Sequence, residues 1–552
     1  MSPITSKFFP RGLPNHLTPP ATSLWFNVEV SATRFPERPA LAFYGGVTNY
    51  REFREQAEHL TGFLQKDCGV KRGDRVALFL HNSPQFVIGY YAILRADAVI
   101  VPVNCMNTTP ELEQILRDSG ATVVIAAQEL LPRVQPLLGG AVTHAVIACY
   151  ADYAGDVGDL AAPEIVTAPR QIFDLPQVTA WHTALAARRM PAPHTATAGD
   201  LALIPYTSGT TGKPKGCMHR HSNIMHGAMS IAHWHDVRQD ACSLAVLPLF
   251  HVTGMQNSMN MPIYAGATIV LLTRWNRDVA LQLIERYRVT NITTVPAMIV
   301  DLVAGFDTSG ADISSLRILG GGGAAMPPAV AAKLFALLGR TYLEGYGLTE
   351  TMAATHTNPG DRPKAGCLGL PLFDVDARII DPTTLAELPQ GTIGEIVVAG
   401  PQVLESYWNN AQENEACFVG IGGKRFFRTG DLARIDEDGY FFFVDRLKRM
   451  INAAGFKVWP AEVESQLYAH PAVQEACVIG KKDPRSGEVV KALIVLKADS
   501  RDTTPDAIVE WSRANMAAYK VPREVRIVAS LPRSATGKID WRLLQEQESA
   551  SP

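Results

Sequence analysis

The stretch YTSGTTGKPKG, residues 206–216, combines small, hydroxyl-bearing and positively charged residues and contains almost nothing that could pack in a core. Its glycines permit tight turns and let the backbone approach a ligand closely. Its hydroxyl and backbone N–H groups can donate hydrogen bonds, and its lysines add positive charge. The residues concerned are Thr207, Ser208, Gly209, Thr210, Thr211, Gly212, Lys213, Lys215 and Gly216. This composition predicts a loop that holds a phosphate chain; a flexible Gly/Thr linker is the alternative.

The spacing within this loop excludes two common nucleotide-binding patterns. A Walker A loop requires a glycine five residues before its Gly-Lys pair, and that position is Thr207. The GxGxxG pattern of dinucleotide-binding sites is also absent from the loop. The phosphate chain is therefore predicted to be held by a different kind of site.

Two other segments contain carboxylates close to hydroxyl-bearing residues. GYGLTET, residues 345–351, contains the Thr349 hydroxyl and the Glu350 carboxylate. RTGDL, residues 428–432, offers Asp431, whose carboxylate can accept hydrogen bonds from both hydroxyls of a ribose. Taken alone, Thr349 and Glu350 could equally cap the N-terminus of a helix.

A glycine run, GGGGAAMP at residues 320–327, follows a predicted strand and leads into a helix that starts with proline. Four glycines in a row let a flat ring or an acyl chain press against bare backbone. A glycine-rich turn without any ligand is the alternative.

Together with two further segments, these motifs resemble in order and spacing the acyl-adenylate-forming superfamily, which includes acyl-CoA synthetases, adenylation domains of peptide synthetases and luciferases. The two further segments are VDRLKRMINAAGFKVWPAEVE, which starts at residue 444, and LPRSATGKID, residues 531–540. The resemblance extends over residues 201–540 and implies an AMP-forming acid–thiol ligase.

The resemblance implies a role for each motif residue. Thr349 would contact the α-phosphate, Glu350 would bind Mg²⁺, and Tyr346 would stack against adenine. Lys538 would neutralise charge on the attacking carboxylate and the α-phosphate. The other ATP- or AMP-binding residues implied are Thr207, Ser208, Gly209, Thr210, Thr211, Lys215, Gly321, Gly322, Gly323, Gly347, Asp431 and Arg446. Out of context, the charges of DRLKR would be read as a solvated face, and Lys538 as a solvated lysine.

PLFHVTG, residues 248–254, bears on the acid that is bound. Amino-acid-activating relatives usually carry an acidic residue after this Phe, whereas this sequence has His251, as acyl- and aryl-CoA synthetases do. The resemblance makes His251 a gate beside the substrate carboxylate; a packed core histidine is the alternative. Further residues that it places along the acid pocket are Thr253, Asn257, Met298 and Met326.

The implied reaction joins an acid to coenzyme A. The carboxylate attacks the α-phosphorus of ATP, pyrophosphate leaves, and a thiol then attacks the acyl-adenylate and releases AMP. Family members use two orientations of a small domain for the two steps, so Lys448 is the predicted hinge, and Gly455 and Phe456 are predicted to bind CoA. ATP, Mg²⁺ and coenzyme A are therefore expected at the site.

The expected substrate is a medium- or long-chain fatty acid, because KGCMHRHSNI is more similar to fatty-acyl-type members than to aryl-type ones. Three alternatives stay open: an aryl- or short-chain acid–CoA ligase, a free-standing adenylation enzyme that loads a carrier protein, and a non-catalytic nucleotide sensor. Two positions depart from the family pattern. Asn452 stands where many CoA-transferring members have a lysine, and Asp97 replaces a usual glycine, with a carboxylate expected to cap or to face solvent.

The elements that must position these residues alternate between strands and helices. RVALFL, AVIVPV and ATVVIAA read as buried strands, separated by helices at PQFVIGYYAILRA and at TPELEQILRDSG, which has a Thr cap and a Gly stop. The alternation resumes at residue 201, after a predicted surface excursion over 151–199, and indicates parallel sheets covered by helices. After residue 365, short strands between Gly and Asp turns indicate a small barrel.

With the resemblance, the predicted fold class is α/β. A large N-terminal domain, residues 1–446, would comprise two stacked α/β sheet subdomains plus a small β-barrel. A small mobile α+β C-terminal domain would occupy residues 447–552.

Composition and charge exclude several other classes of protein. The formal net charge of −3 gives no electrostatic case for a nucleic-acid partner. The eight cysteines contain no CxxC pair, which argues against a zinc ribbon or a disulfide framework and favours a reducing compartment. The most apolar window, residues 86–103, contains Arg95 and Asp97, so no integral membrane segment is predicted. We therefore expect a cytoplasmic enzyme, a monomer or homodimer, whose partners are small molecules.

Overall fold

The computed structural model describes residues 9–10, 12–207, 214–323, 326–453, 456–483, 487–500, 502–533 and 539–550. Contacts between residues divide the chain into two compact units. The first comprises Met1–Asp376 and Val398–Phe427, and the second comprises Ala377–Val397 and Arg428–Pro552. This division places residues 428–446 with the C-terminal part of the chain, whereas the predicted domain boundary lies at 446/447. That the chain has a hinge at the predicted boundary stays a prediction.

The first unit contains a seven-stranded sheet. Its strands are, in spatial order, His219–Arg220, Leu201–Leu203, Val99–Pro102, Arg75–Phe79, Val123–Ala127, His144–Ala148 and Val178–Ala180. All neighbours run parallel except the first pair. Every residue of Val99–Pro102 and of Val123–Ala127 is buried, as expected for parallel strands with helices on both faces.

A nine-stranded sheet lies in the same unit. Its strands are, in spatial order, Leu370–Pro371, Ala353–Thr357, Leu343–Leu348, Ile318–Gly321, Asn291–Thr294, Cys242–Ala245, Thr268–Leu271, Pro39–Phe43 and Gly46–Asn49. The neighbours from Leu343–Leu348 to Pro39–Phe43 run parallel, and the outer pairs run antiparallel. One continuous cluster of buried side chains contains residues of both sheets, such as Leu78 and Leu244. The predicted pair of α/β sheets is confirmed.

Helices cover the sheets of the first unit. The α-helices are Trp25–Arg34, Tyr50–Lys66, Pro84–Arg95, Thr109–Ser119, Leu131–Val134, Glu164–Thr167, Trp181–Ala186, His221–Trp234, Val252–Met255, Met261–Ala265, Arg277–Tyr287, Pro296–Ser309, Pro328–Leu338 and Ala411–Ala416. The 3₁₀-helices are Gln128–Leu130, Gln135–Leu137, Tyr150–Asp152 and Thr349–Thr351, and Gln256–Asn260 forms a π-helix. The helix predicted at TPELEQILRDSG ends at Gly120 with a φ of 69°, a left-handed conformation that suits glycine.

Short antiparallel strands follow residue 365, as predicted: Phe418–Ile421 pairs with the start of Lys424–Ile435. Earlier in the chain, Tyr206–Thr207 pairs with Lys215–Gly216. Asp376–Ile380 and Gly394–Ala399 are further strands. The later part of Lys424–Ile435 pairs with Phe441–Arg446 inside the second unit.

The second unit has the α+β character expected of the C-terminal domain. Its remaining strands are Ile451–Ala453, Phe456–Val458, Val473–Asp483, Gly487–Leu496 and Glu524–Ile527, and its helices are the 3₁₀ turn Leu447–Arg449 and the α-helices Pro460–Leu467, Pro505–Asn515 and Trp541–Ala550. A separate core that includes Val478, Ile494 and Ile508 stabilises it.

Two expectations about the first unit need correction. Residues 151–199 do not form only a surface excursion, because Val178–Ala180 extends the seven-stranded sheet and Trp181 is buried. Asp97 does not face solvent: its carboxylate accepts hydrogen bonds from the backbone N–H groups of Thr195 at 3.0 Å and Ala196 at 3.1 Å, and its oxygen lies 2.6 Å from His194 Nδ1. Asp97 thus fixes a segment almost a hundred residues away. None of the described helices combines the length and apolar character that crossing a bilayer requires.

Candidate active site

The predicted phosphate loop has its two ends held together by a short ladder. Thr207 pairs with Lys215, and Tyr206 pairs with Gly216. The predicted ligands Ser208, Gly209, Thr210 and Thr211 lie outside the described residues. For this segment the structure therefore shows only that the residues on either side of it are paired with each other.

Lys215 is buried at the end of this ladder rather than exposed. Only 7% of its surface is accessible, and its Nζ lies 2.6 Å from the Glu413 carboxylate. The ammonium also lies 5.3 Å from the centre of the Tyr407 ring, a cation–π distance. The charge of Lys215 is thus balanced by Glu413, a partner that sequence reasoning missed, and the prediction that Lys215 binds phosphate stays a prediction.

The predicted metal ligand Glu350 lies in the 3₁₀ turn Thr349–Thr351. The Tyr407 hydroxyl donates a hydrogen bond of 2.8 Å to Glu350 Oε1, and the backbone N–H of Leu404 donates one of 2.7 Å to the Glu350 carbonyl. Burial, and then the charge of Glu350, raise the pKa of Tyr407 far above its ordinary value. Tyr407 therefore stays protonated and keeps donating to the carboxylate.

Thr349 is fixed by a histidine from the edge strand of the other sheet. His219 is fully buried and its Nε2 lies 2.7 Å from the Thr349 carbonyl oxygen. Burial lowers the pKa of His219 to about 4, so the neutral ring donates through Nε2. The alternative in which Thr349 caps a helix is wrong, because Thr349 is the first residue of the 3₁₀ turn and Leu348 occupies the cap position.

The glycine run has a structural reason that is independent of any ligand. A Cβ on Gly321 would lie 1.8 Å from the Thr294 carbonyl oxygen, and one on Gly322 would lie 2.3 Å from that of Gly345. Gly321, with a φ of 156°, and Gly323, with 91°, also adopt conformations that L side chains rarely take. Gly321 and Gly322 therefore lie where the backbone of a neighbouring segment leaves no room for a side chain.

Glu344 is a further residue that sequence reasoning missed. Its buried carboxylate accepts hydrogen bonds from the backbone N–H of Met326 at 3.0 Å and of Gly366 at 2.7 Å, while burial raises its pKa. It joins the end of the glycine run to the strand that carries Tyr346 and Gly347. Within that strand's ladder Tyr346 is paired with His356, and their ring centres lie 5.7 Å apart.

The predicted acid-pocket residues lie on two helical segments and one loop. His251 is half-buried and caps the helix Val252–Met255: its Nδ1 accepts the Thr253 N–H at 3.3 Å. Asn257 lies in the following π-helix, and its Oδ1 is buried without a hydrogen-bond partner among the described residues. Met298 lies in the helix Pro296–Ser309 and is half-buried, and Met326 is buried.

Asn82 positions the loop before His251, although no motif marks it. Its side-chain N–H groups donate to the carbonyl oxygens of Leu247 at 2.9 Å and of Ala245 and Leu272 at 3.2 Å. Its Oδ1 accepts the Leu249 N–H at 2.8 Å. One buried amide thus holds the ends of two strands and the turn that leads to the predicted gate.

Within the second unit, the predicted ribose ligand Asp431 meets the predicted phosphate or ribose ligand Arg446. Their residues are register partners in neighbouring strands, and Arg446 Nε lies 3.0 Å from Asp431 Oδ1. The Asp431 side chain is 2% exposed, whereas that of Arg446 is 45% exposed. A carboxylate held by a half-exposed guanidinium is a suitable acceptor for vicinal hydroxyls.

The predicted hinge lies beside a buried ion-pair network. Lys448 belongs to the turn Leu447–Arg449. The Arg449 guanidinium pairs with Glu464 and donates to the Val478 carbonyl at 3.1 Å, and Asp445 Oδ2 accepts the Ala461 N–H at 2.6 Å. The reading of DRLKR as a solvated face is therefore wrong for its Asp and last Arg.

The remaining predicted residues of this unit are only partly described. Gly455 and Lys538 lie outside the described residues, and Phe456 begins the strand Phe456–Val458. Ile539, next to Lys538, forms an antiparallel bridge with Arg533. Asn452 pairs with Lys457 in a ladder, and its N–H donates to Glu488 at 2.8 Å.

Magnesium is compatible with the donors that the site offers. Among the described residues no group of three or more His, Cys, Asp and Glu side chains could hold a metal by itself. Mg²⁺ is commonly held by one or two carboxylates together with phosphate oxygens of the substrate. Glu350, a hard oxygen donor oriented by Tyr407, fits that pattern.

Comparison with known proteins decides the family. A model of the AMP-binding enzyme family matches residues 28–408, and a model of the AMP-binding enzyme C-terminal domain matches residues 462–538. The chain belongs to the AMP-binding enzyme family. The predicted resemblance to the adenylate-forming superfamily is thereby confirmed.

Relatives of this AMP-binding enzyme are similar over almost its whole length. It is 34% identical to a long-chain-fatty-acid–CoA ligase of Bacillus subtilis, over 98% of this chain and 97% of the relative. It is also 34% identical to a feruloyl-CoA synthase of an Amycolatopsis species, over 91% of this chain and 94% of the relative. The crystal structure of ATP-bound MatB from Rhodopseudomonas palustris superposes with a TM-score of 0.82 at 28% identity, covering 95% of this chain and 99% of that one.

Proposed function

We propose that the protein is an ATP-dependent carboxylic acid–CoA ligase that forms AMP and pyrophosphate through an acyl-adenylate, and that its acid is a medium- or long-chain fatty acid. The observation that carries the proposal is the similarity to the Bacillus subtilis long-chain-fatty-acid–CoA ligase over 98% of this chain. His251 in place of an acidic residue argues against an amino acid as substrate.

Each predicted site residue would have its own role in the formation of the acyl-adenylate. A bound magnesium ion would supply positive charge to the phosphate oxygens, and Glu350, oriented by Tyr407, would hold it. Thr349 would donate its hydroxyl to the α-phosphate while His219 fixes its backbone. Asp431 would accept the ribose hydroxyls, and Lys538 would neutralise the two reacting anions. Because both reactants are negatively charged, cancelling charge and aligning the attack are the main tasks of the site.

The two half-reactions are expected to use two orientations of the C-terminal domain, with Lys448 as the hinge and Gly455 and Phe456 at the CoA site. For Lys538→Ala we expect loss of acid-dependent ATP–pyrophosphate exchange, while thioester formation from supplied acyl-adenylate survives. Gly455→Leu is expected to do the converse. Equal loss of both steps in either variant would contradict the two-orientation proposal.

An aromatic acid is the second candidate substrate, because the feruloyl-CoA synthase relative is as similar in identity as the fatty-acid ligase. The test is a panel of fatty acids of graded length and aromatic acids, each incubated with ATP, Mg²⁺ and CoA, with acyl-CoA detected by mass. Preferred turnover of medium or long fatty acids supports the proposal, and preferred turnover of aromatic acids overturns its substrate.

The same panel separates the other candidates. Acid-dependent pyrophosphate exchange without any acyl-CoA would indicate loading of a carrier protein, and no exchange with any acid would indicate a nucleotide sensor. The proposal includes a cytoplasmic location, a monomer or homodimer, and no nucleic-acid partner.

A further inference from the structure

The helical segment that carries Thr253 and Asn257 is interrupted by a π-turn. It runs as α-helix over Val252–Met255, as π-helix over Gln256–Asn260 and as α-helix again over Met261–Ala265. The backbone N–H of Met261 donates to the carbonyl of Gln256, five residues earlier. Single π-turns inside α-helices are rare and occur frequently at functional sites.

Pro262 explains why the helix widens here. Proline has no N–H to donate to the carbonyl four residues earlier, and inside an α-helix its ring clashes with that carbonyl. The π-turn is closed by the N–H of Met261, directly before Pro262, so the wider turn lies where the proline would disturb an α-helix. Backbone geometry alone therefore does not favour a regular α-helix, and side chains must select the turn that forms.

A buried amide network makes that selection. Asn260 Nδ2 donates to Gln256 Oε1 at 3.1 Å across the π-turn, and Asn260 Oδ1 accepts the Tyr91 hydroxyl at 2.9 Å. Asn260 Nδ2 also lies 3.3 Å from the Tyr90 hydroxyl, and Gln256 Nε2 donates to the Ile224 carbonyl at 2.7 Å. All four side chains are fully buried.

The network connects the turn to two other elements of the first unit. Tyr90 and Tyr91 lie in the helix Pro84–Arg95, which covers the seven-stranded sheet, and Ile224 lies in the helix His221–Trp234. At Gly227 in the latter helix a Cβ would lie 2.5 Å from Gln256 Nε2, so a side chain there would displace this amide from its present position. Because a buried amide that loses its hydrogen-bond partners is destabilising, the network holds one arrangement of the turn.

We propose that Asn260 is a positioning residue that fixes the π-turn and thereby decides which acids the pocket accepts. This inference rests on the proposed function, since it takes Thr253 and Asn257 as the pocket wall. Relaxation of the π-turn to α-helix would rotate this wall relative to Met261–Ala265 and redirect the Asn257 side chain, whose Oδ1 is buried without a partner among the described residues. The Asn260 network therefore sets the shape and polarity of the wall without touching the acid.

The test compares selectivity rather than activity. Asn260→Leu keeps the side-chain size and removes every hydrogen bond, and Tyr91→Phe removes one hydroxyl from the network. For each protein, kcat/KM is measured with a long and a short fatty acid, and KM is measured for ATP. We expect the ratio of the two kcat/KM values to change roughly tenfold in Asn260→Leu, the scale on which a pocket distinguishes small differences in shape. Tyr91→Phe should change it in the same direction but less, with KM for ATP unchanged in both.

Tyr153→Phe is the matched control, because its hydroxyl is also hydrogen-bonded, accepting the Trp181 Nε1–H at 3.1 Å, but lies outside the network. It should leave the selectivity ratio unchanged. An unchanged ratio in Tyr91→Phe overturns the inference even if Asn260→Leu does not fold, as does a change of equal size in the control. Failure of the wild-type protein to use any acid would instead refute the proposed function.

Discussion

Glu350 owes its position to a tyrosine that is 57 residues away in the sequence, and Thr349 to a histidine that is 130 residues away. The motif GYGLTET marks these two residues through its resemblance to the family's adenylate motif, and their contacts with phosphate and metal stay a prediction. Tyr407, His219 and Glu413 could not be identified in the same way, because their role depends on which distant segments the fold brings together. Sequence reasoning therefore marks candidate ligand-binding groups before the residues that hold those groups.

Tyr407→Phe tests the residue that orients the carboxylate. Loss of a hydrogen bond to a charged group costs about 1.5–3 kcal/mol, so we expect acid-dependent ATP–pyrophosphate exchange to fall by about tenfold or more. The concentration of Mg²⁺ that gives half-maximal exchange should rise, because the Glu350 carboxylate loses the hydroxyl that donates to its Oε1. Binding of Mn²⁺ in the presence of a non-hydrolysable ATP analogue, followed by EPR, should weaken in parallel.

The control for this substitution is Tyr468→Phe, which removes the hydroxyl of a tyrosine that is 47% exposed. Exchange and Mn²⁺ binding should be unchanged in it. Normal metal dependence in Tyr407→Phe would show that Glu350 does not need the hydroxyl.

His219 makes stability depend on pH. Its pKa is about 4 in the folded protein against an ordinary value of 6.5, so the unfolded chain binds a proton at higher pH than the folded chain does. The contribution of His219 to the free energy of unfolding is fully present above about pH 6.5 and is lost as the pH falls toward 4. Urea unfolding of the first unit should therefore show a free energy that declines over this range.

His219→Gln should make that decline less steep, because a glutamine amide can still donate to the Thr349 carbonyl but does not titrate. The comparison is between the slopes of unfolding free energy against pH for the two proteins. Identical slopes would mean that His219 is not neutral in the folded state.

At the scale of elements, alternation of buried strands and capped helices predicted both parallel sheets, because each strand reads as a short apolar run bounded by turn residues. Arg75–Phe79, Val99–Pro102 and Val123–Ala127 lie where RVALFL, AVIVPV and ATVVIAA predicted them. The order of strands in the sheets could not be read, since it depends on packing between elements rather than on local pattern. The π-turn before Pro262 could not be predicted either. A proline inside an apolar run indicates only that a helix is disturbed, and the buried side chains around it decide which kind of turn forms.

Asp97 shows how a single contact between elements changes the interpretation of a residue. With a φ of 59° it adopts a conformation that glycine takes more readily, yet its carboxylate holds Thr195 and Ala196. For Asp97→Gly we expect the free energy of unfolding to fall by about 1–3 kcal/mol, since the loss of several hydrogen bonds outweighs the relief of the backbone. Limited proteolysis should cut faster near residues 190–197.

Asp97→Asn is the control, because asparagine tolerates the left-handed conformation and keeps one acceptor oxygen. It should lie between the wild type and Asp97→Gly in both measurements. A glycine variant as stable and as resistant to protease as the wild type would show that the segment does not depend on Asp97.

For the whole molecule, two family models match consecutive parts of the chain, one over residues 28–408 and one over residues 462–538. The motifs predicted the family because each nucleotide contact needs its own residue type, and these recur in one order over more than three hundred positions. The motifs do not show where the compact units divide. The strands of residues 428–446 carry motif residues, but their contacts assign them to the second unit. The network of Arg449, Glu464 and Val478 fixes residue 449 to the body of that unit, directly after the predicted hinge.

In the proposed reaction the carboxylate of an acid attacks the α-phosphorus of ATP. A substrate acid labelled with ¹⁸O in both carboxylate oxygens is turned over with ATP and CoA, and the nucleotide product is analysed by mass. We expect AMP that carries one ¹⁸O atom, because the thiol cleaves the acyl-adenylate on its carbonyl side. Unlabelled AMP, or ADP with orthophosphate in place of AMP with pyrophosphate, would contradict it.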